Sequence, residues 1–303
     1  MYNSTDLAYT AGYIDGDGCF HLRKQVFKGN KRPKYSAKLI ISSVNPDVLH
    51  WFKKTFGGVV REVKRKSLPD GHKRQYHFIF DNKSFKDFST ELTNIYLVEK
   101  RVESAWFSNF LCCKFIEDKE SCIDELQKEK HKFGLVLPSQ KIEFEDRRNT
   151  IKFTELDLAY LAGFIDAECC LGIQRYKPKK RPNHTYKIQL QCNNTKYPFF
   201  KWALERFGGQ IHFIERQKSM GQRDQLCWRL SAKALLPILK GIQPYIKHKL
   251  PVCEELIKFY KTTVPLKNTI SRNSPHFAEY YRPILEERES IFHKIQILNK
   301  KGI

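Results

Sequence analysis

Residues 19–27 read CFHLRKQVF, in which Phe20, Leu22 and Val26 alternate with His21, Arg23 and Gln25. Period two with one oily side marks a strand buried on one face. After the basic stretch KGNKRPK, which ends at Lys34, the run YSAKLII alternates again, with Tyr35, Ala37, Leu39 and Ile41 against Ser36 and Lys38, so the two runs predict a hairpin. NPDVLHWFKKTFGG then predicts a helix with Asn45 as its cap, Pro46 in its first turn and Gly57 as its stop. VVREVKRK and QYHFIF, joined by SLPDGHKR, predict a second hairpin, and helical runs follow at 84–95 and 98–115. A further helix precedes all of these, opened by the STD of residues 4–6. The order is αββαββα. Its class is α+β, a four-stranded antiparallel sheet with helices on the oily face and a polar face left open to a partner.

The same order occurs twice. AGYIDGDGCF at 11–20 returns as AGFIDAECCL at 162–171, and FGG at 56–58 returns at 207–209, each 151 positions on. TELD at 154–157 is the capping sequence of the second copy's first helix. Near the copies' ends, IYLVEK at 95–100 answers to PYIKHK at 244–249. Such a repeat predicts two pseudo-symmetric halves, 1–116 and 153–264, with a charged linker containing some helix at 117–152 and a C-terminal helical extension at 265–303. Gly12 and Gly16 lie four apart, and Gly163 and Ala167 match them. Residues at i and i+4 share a helix face, so each first helix carries a strip without bulky side chains, and the two helices are expected to pack on each other.

Charge narrows the class of partner. The chain has 303 residues, with 54 Lys plus Arg against 33 Asp plus Glu, a formal net charge of +21. That excess points to a polyanion, either nucleic acid or an anionic membrane surface. No apolar run approaches the ~20 residues that span a bilayer, and the opening MYNSTDLAYT has neither the basic flank nor the apolar stretch of a signal peptide, so nucleic acid is favoured. The nine cysteines include the adjacent pairs Cys112-Cys113 and Cys169-Cys170 but no CxxC spacing. They are expected to be reduced, mostly buried thiols, not zinc ligands.

The packed strips bring Asp17 and Glu168 to the same end of the helix pair, where both helix dipoles leave partial negative charge. Two carboxylates there call for cations, and hard oxygen ligands call for Mg²⁺ or a similar ion such as Mn²⁺. Asp15 and Asp166 are read as caps bonded to nearby amides. The stretches TAGYIDGDG and LAGFIDAEC resemble the two copies of the LAGLIDADG motif of single-chain homing endonucleases, and the duplicated αββαββα order is similar to that family's fold from about residue 6 to 265. The resemblance implies a monomeric, intron-encoded, metal-dependent endonuclease that breaks both strands of a long, non-palindromic DNA target by phosphodiester hydrolysis. It implies that Asp17 and Glu168 bind the metal, with the backbone carbonyls of Gly18 and Cys169 beside them. Cys169 stands where the motif has glycine, and its Cβ restricts φ and crowds close approach. Lys100 and Lys249 match the family's basic residue at the start of a late helix, against the alternative of a solvated surface lysine. Ser43 and Asn194 end the second strand of each half, where the family orders water.

The polar faces supply the candidate readers. In the first half they are His21, Arg23, Gln25, Lys34, Ser36, Lys38, Arg61, Gln75 and His77; in the second, Gln174, Tyr176, Lys187, Gln189, Gln191, His212, Gln225 and Arg229. Arg, Gln, His and Lys in this mixture suit base edges and phosphates. The basic loops KGNKRPK and KPKKRPNHT are expected to meet phosphate. Two other functions fit the same features: an intron RNA maturase on this fold, and a DNA-binding regulator with dead sites. The compartment stays open between an organelle and a bacterial cytoplasm.

Overall fold

A computed structural model of the chain describes residues 2–29, 32–63, 74–80, 85, 92, 96–131, 153–178, 184–216, 224–230, 232–262, 276, 279 and 281–301. Helix α1 (Ser4–Asp17) starts one residue earlier than the STD stretch suggests, because Asn3 is the cap and its side chain accepts the Thr5 amide. Strands β1 (Gly18–Gln25) and β2 (Lys34–Ser43) form the expected hairpin, in register from Gly18↔Ile41 to Gln25↔Lys34. Helix α2 (Pro46–Phe56) is capped by Asn45 and stopped by Gly57, whose φ of 79° suits a residue without Cβ. Strands β3 (Val59–Glu62) and β4 (Tyr76–Phe80) complete a sheet of order β1-β2-β4-β3. The hairpin tip at 64–73 and most of the run at 84–95 lie outside the described residues; Phe85 and Leu92 from that run are buried in the core. Helices α3 (Arg101–Cys112) and α4 (Ile116–His131) follow.

The second half repeats the plan. Helix α5 (Glu155–Glu168) opens on the full capping box between Thr154 and Asp157. Strands β5 (Cys169–Tyr176), β6 (Thr185–Asn194), β7 (Gln210–Ile214) and β8 (Gln225–Arg229) make a sheet of order β5-β6-β8-β7, with α6 (Tyr197–Phe207) between its hairpins. Helices α7 (Ala232–Ile242), α8 (Leu250–Lys261) and α9 (Arg282–Lys301) close the chain. The β5–β6 register, from Cys169↔Cys192 to Tyr176↔Thr185, is the β1–β2 register moved by 151 positions. Parts of both basic loops, 30–31 and 179–183, lie outside the described residues.

Helices α1 and α5 are packed along their small-residue strips, and one hydrophobic core runs through both halves. The approach is close enough that a methyl group at Gly12 would strike the Tyr160 carbonyl oxygen and one at Gly163 would strike the Tyr9 carbonyl oxygen. Gly16 is filled in the same way by the Ala167 methyl.

Helices α4 and α9 are also counterparts, 169 positions apart. Cys122, Ile123 and Leu126 are buried on α4, and Ile291, Phe292 and Ile295 on α9. Glu120 of α4 takes Lys24 and the Tyr35 hydroxyl from the first hairpin; Glu289 of α9 takes Arg175 and the Tyr186 hydroxyl from the second. Lys24 and Arg175, like Tyr35 and Tyr186, are 151 positions apart, so the first hairpin of each sheet is tied to a helix by the same kind of clamp.

The cysteine reading needs correction. Cys169 and Cys192 form a disulfide, since the register sets them directly opposite each other with Cα atoms 4.2 Å apart. Strand alternation turns Cys19 and Cys170 outward, and with Cys112 they are exposed, while Cys122, Cys227 and Cys253 are buried thiols.

Candidate active site between the two repeats

Each motif helix stops at its acid because the next residue turns extended and begins a strand: Gly18 at φ −75°, ψ 143° and Cys169 at φ −93°, ψ 151°. Cys169 therefore adopts the same backbone as Gly18 without strain. The close packing at Gly16, against Ala167 and the Glu168 side chain, gathers the two acids at one end of the helix pair. Asp17 is half-buried, and its pKa is pushed up to about 7 by burial first and by the charge of Glu168 second, against the pull of Lys100 and Lys249. Glu168 still reaches solvent, but the protein packed around its carboxyl removes enough water to raise its pKa too. Neither carboxylate accepts a hydrogen bond from another described residue.

The motif helices and the late helices close each other's ends. Asp15 accepts the amides of Val98 (2.8 Å), Glu99 (3.0 Å) and Lys100 (2.8 Å), the turn that leads into α3. Asp166 accepts those of Lys247 (2.8 Å), His248 (2.9 Å) and Lys249 (2.8 Å) at the start of α8. In return the Lys100 ammonium donates to the carbonyls of Ile14, Gly16 and Gly18, and Lys249 to those of Ile165, Asp166 and Cys169, at 2.6–3.0 Å. A cation on a helix C-terminus and an anion on a helix N-terminus are each the favourable sign for the dipole. Asp15 and Asp166 are bonded to nearby amides, as expected. Lys100 and Lys249 are held inside the site and are not solvated surface lysines; burial lowers the Lys249 pKa.

Further bonds cross between the halves. Tyr160 donates to Asp15 (2.6 Å) and Tyr9 to Asp166 (2.8 Å), and both phenols are buried. Glu99 lies against Asn194 (3.4 Å), and Glu103 pairs with Lys196 (2.9 Å). On the other side Lys247 sits over the rings of Trp51 (4.0 Å) and Tyr9 (4.7 Å). Asn194 also accepts the Thr195 amide, and Ser43 accepts the Asn45 amide and touches Tyr13. Both lie at the strand ends where the sequence puts them, Asn194 with a partner in each half and Ser43 with partners in its own.

Each sheet turns its polar positions away from the helices. Cross-strand pairs such as His21↔Lys38, Arg23↔Ser36, Gln25↔Lys34 and Arg61↔His77 fall on the outer face of the first sheet, with Gln75 continuing the His77 row. Gln174↔Lys187 and Gln191↔Arg229, with Tyr176, Gln189, His212 and Gln225, fall on that of the second. Every predicted reader is exposed or half-buried there. Desolvation, and then the cations Lys130, Arg23 and Lys38, lower the His21 pKa, which reports a positive surface.

No family model matches the chain, and no curated protein sequence does. Solved structures match nearly its whole length. I-SmaMI bound to uncleaveable DNA shares 15% identity over 95% of this chain and 100% of that one, with a TM-score of 0.62. LAGLIDADG meganuclease I-AabMI bound to uncleaved DNA shares 18% identity over 92% and 98%, with a TM-score of 0.59, and the LAGLIDADG homing endonuclease I-LtrWI bound to target DNA shares 19% over 95% and 98%, with 0.62. The fold is that of the single-chain LAGLIDADG meganucleases. I-SmaMI has also been solved on an uncleaved DNA target in the presence of calcium ions. In this chain the two motif helices carry more than the acids: Tyr9 and Tyr160, in AYTAG and AYLAG, recur 151 positions apart like the motif itself, and that recurrence is the signal by which the sequence could have revealed them. Lys196, Glu103 and the Glu120 and Glu289 clamps carry no such signal, since their partners come from distant elements.

Among the described residues no three His, Cys, Asp or Glu side chains cluster in a way that could hold a metal. Mg²⁺ asks for less, one or two carboxylates with water and phosphate completing its shell. Asp17 and Glu168 fit that demand, as hard oxygen donors without a hydrogen-bond donor among the described residues. The Gly18 and Cys169 carbonyls are engaged by lysine ammoniums, and each oxygen retains a second lone pair.

Proposed function

We propose that the chain is a metal-dependent, site-specific endonuclease that breaks both strands of a long, asymmetric DNA duplex. One observation carries this reading: the packing of α1 on α5 gathers Asp17 and Glu168 at one end of a helix pair whose strands lead directly into two outward-facing polar sheets. The DNA named in the neighbouring structures, and the +21 charge, support duplex DNA as the partner. No described helix is long and apolar enough to cross a membrane.

In this reading the two sheets bind and orient the duplex, with Arg23, Lys38, Lys187 and Arg229 among the groups meeting phosphates and base edges. Asp17 and Glu168 hold the divalent ion, with the Gly18 and Cys169 carbonyls beside them. That ion, when bound, activates water and steadies the leaving oxygen. Lys100 and Lys249 place fixed positive charge at the helix ends, where negative charge builds on the phosphate during hydrolysis. Ser43 and Asn194, at the ends of β2 and β6, order water in this reading. Asp17→Asn and Glu168→Gln should each abolish double-strand cleavage with Mg²⁺ while leaving target affinity within a few-fold. Near-normal cutting of both strands by either variant would sink the assignment.

A further inference from the structure

We infer that each repeat seats the other repeat's lysine, with Tyr160 acting as the positioning residue for Lys100 and Tyr9 for Lys249. The inference deepens the endonuclease reading and rests on it for its catalytic consequence. Its geometric core is the pair of crossed bonds. Tyr160 belongs to the second repeat but donates to Asp15 of the first, the carboxylate that fixes the Val98, Glu99 and Lys100 amides. Tyr9 belongs to the first repeat but donates to Asp166 of the second, which fixes the Lys247, His248 and Lys249 amides.

Each aspartate thus stands between one phenol from across the interface and three amides of the turn that leads into a late helix on its own side. The N-cap residues of those helices are the lysines, whose side chains cannot accept a hydrogen bond, and neither provides a side-chain cap. The aspartate holds the turn that ends on the lysine, and its orientation fixes where the lysine leaves the backbone. A buried carboxylate needs its lone pairs met; the phenol joins two of the backbone amides on Oδ2, while the lysine's own amide takes Oδ1. The interface around the lysine loops is crossed as well. Glu99 reaches Asn194 and Glu103 reaches Lys196, while Lys247 lies on Trp51 and Tyr9. A phenylalanine at 9 or 160 would preserve the ring packing and remove only the bond to the aspartate.

The test compares which strand slows. On an end-labelled duplex target, Lys100→Ala and Lys249→Ala each identify the strand that depends on that lysine. Tyr160→Phe should slow the Lys100 strand by about tenfold, the loss expected for one hydrogen bond to a charged group, and Tyr9→Phe the Lys249 strand, so that nicked product accumulates and affinity stays unchanged. A tyrosine with only a packing role would slow both strands alike; that result, or slowing of the strand tied to the lysine of its own repeat, overturns the inference and leaves the endonuclease reading intact. Amide hydrogen exchange gives a readout independent of cleavage. Tyr160→Phe should speed exchange at Val98, Glu99 and Lys100 and not at Lys247, His248 and Lys249, with the reverse for Tyr9→Phe. If the wild-type chain cuts no duplex, the endonuclease reading fails and exchange alone decides: equal change at both loops, or none, overturns the seating. The two tyrosines test the two directions separately, so one folded variant is sufficient.

Discussion

The first and second halves agree in the residues that make the junction and differ in the residues that face outward. Asp15 and Asp166, Lys100 and Lys249, and Tyr9 and Tyr160 occupy matching places and make matching bonds. On the outer faces His21, Arg23 and Gln25 stand where the second half has Gly172, Gln174 and Tyr176. Helix-end capping and close helix packing admit few side chains, whereas an exposed sheet position only has to suit what it touches. The junction is therefore held as a duplicated object, and the surface is free to differ between the halves. The interface also has one-sided features. Glu103 pairs with Lys196 on one side, and the corresponding positions on the other are Val252 and Asn45, where Lys247 over Trp51 forms the contact instead.

The largest expected effect tests the shared part. Gly12→Ala and Gly163→Ala each push a methyl group into a facing backbone carbonyl, which should destabilise the chain by about 3 kcal/mol or more in urea unfolding, at the upper end of overpacking losses. The two losses should be similar, and a mild effect at one glycine alone would break the symmetry of the junction. Next comes the one-sided pair. Lys196→Met leaves the buried Glu103 carboxylate without its partner and should cost about 2 kcal/mol, while Asn45→Met, which removes the α2 cap, should cost about 1 kcal/mol. Equal losses would show that the ion pair adds nothing beyond a helix cap. The smallest effect is on reading. Arg23→Ala should relax base preference in one half-site only and Arg229→Ala in the other, each by about 1–3 kcal/mol of discrimination if the contact is bidentate. A cleavage profile over all single-base variants of the target would show it.

Much of this was legible in the sequence, for reasons that differ by element. The hairpins could be read because Phe20, Leu22, Leu39 and Ile41 keep strict alternation, and α2 because Asn45, Pro46 and Gly57 each act locally. The acids could be read because the motif recurs at a fixed offset with small residues ahead of it. The Cys169–Cys192 disulfide was not legible, since the pairing depends on the β5–β6 register and joins residues 23 positions apart. The correspondence of α4 with α9 was also hidden, because its offset is 169 and not 151 and their apolar positions share spacing without sharing residue types. The three-carbonyl seat of each lysine could not be seen at all, since it joins backbone groups some eighty positions away.

The account stands most directly on a cleavage selection with the wild-type chain and Mg²⁺ on a randomised duplex pool. It predicts one preferred target of roughly two helical turns, ~20 base pairs, cut on both strands and lacking two-fold sequence symmetry. A palindromic preferred site, or a duplex that is bound but never cut, would contradict it.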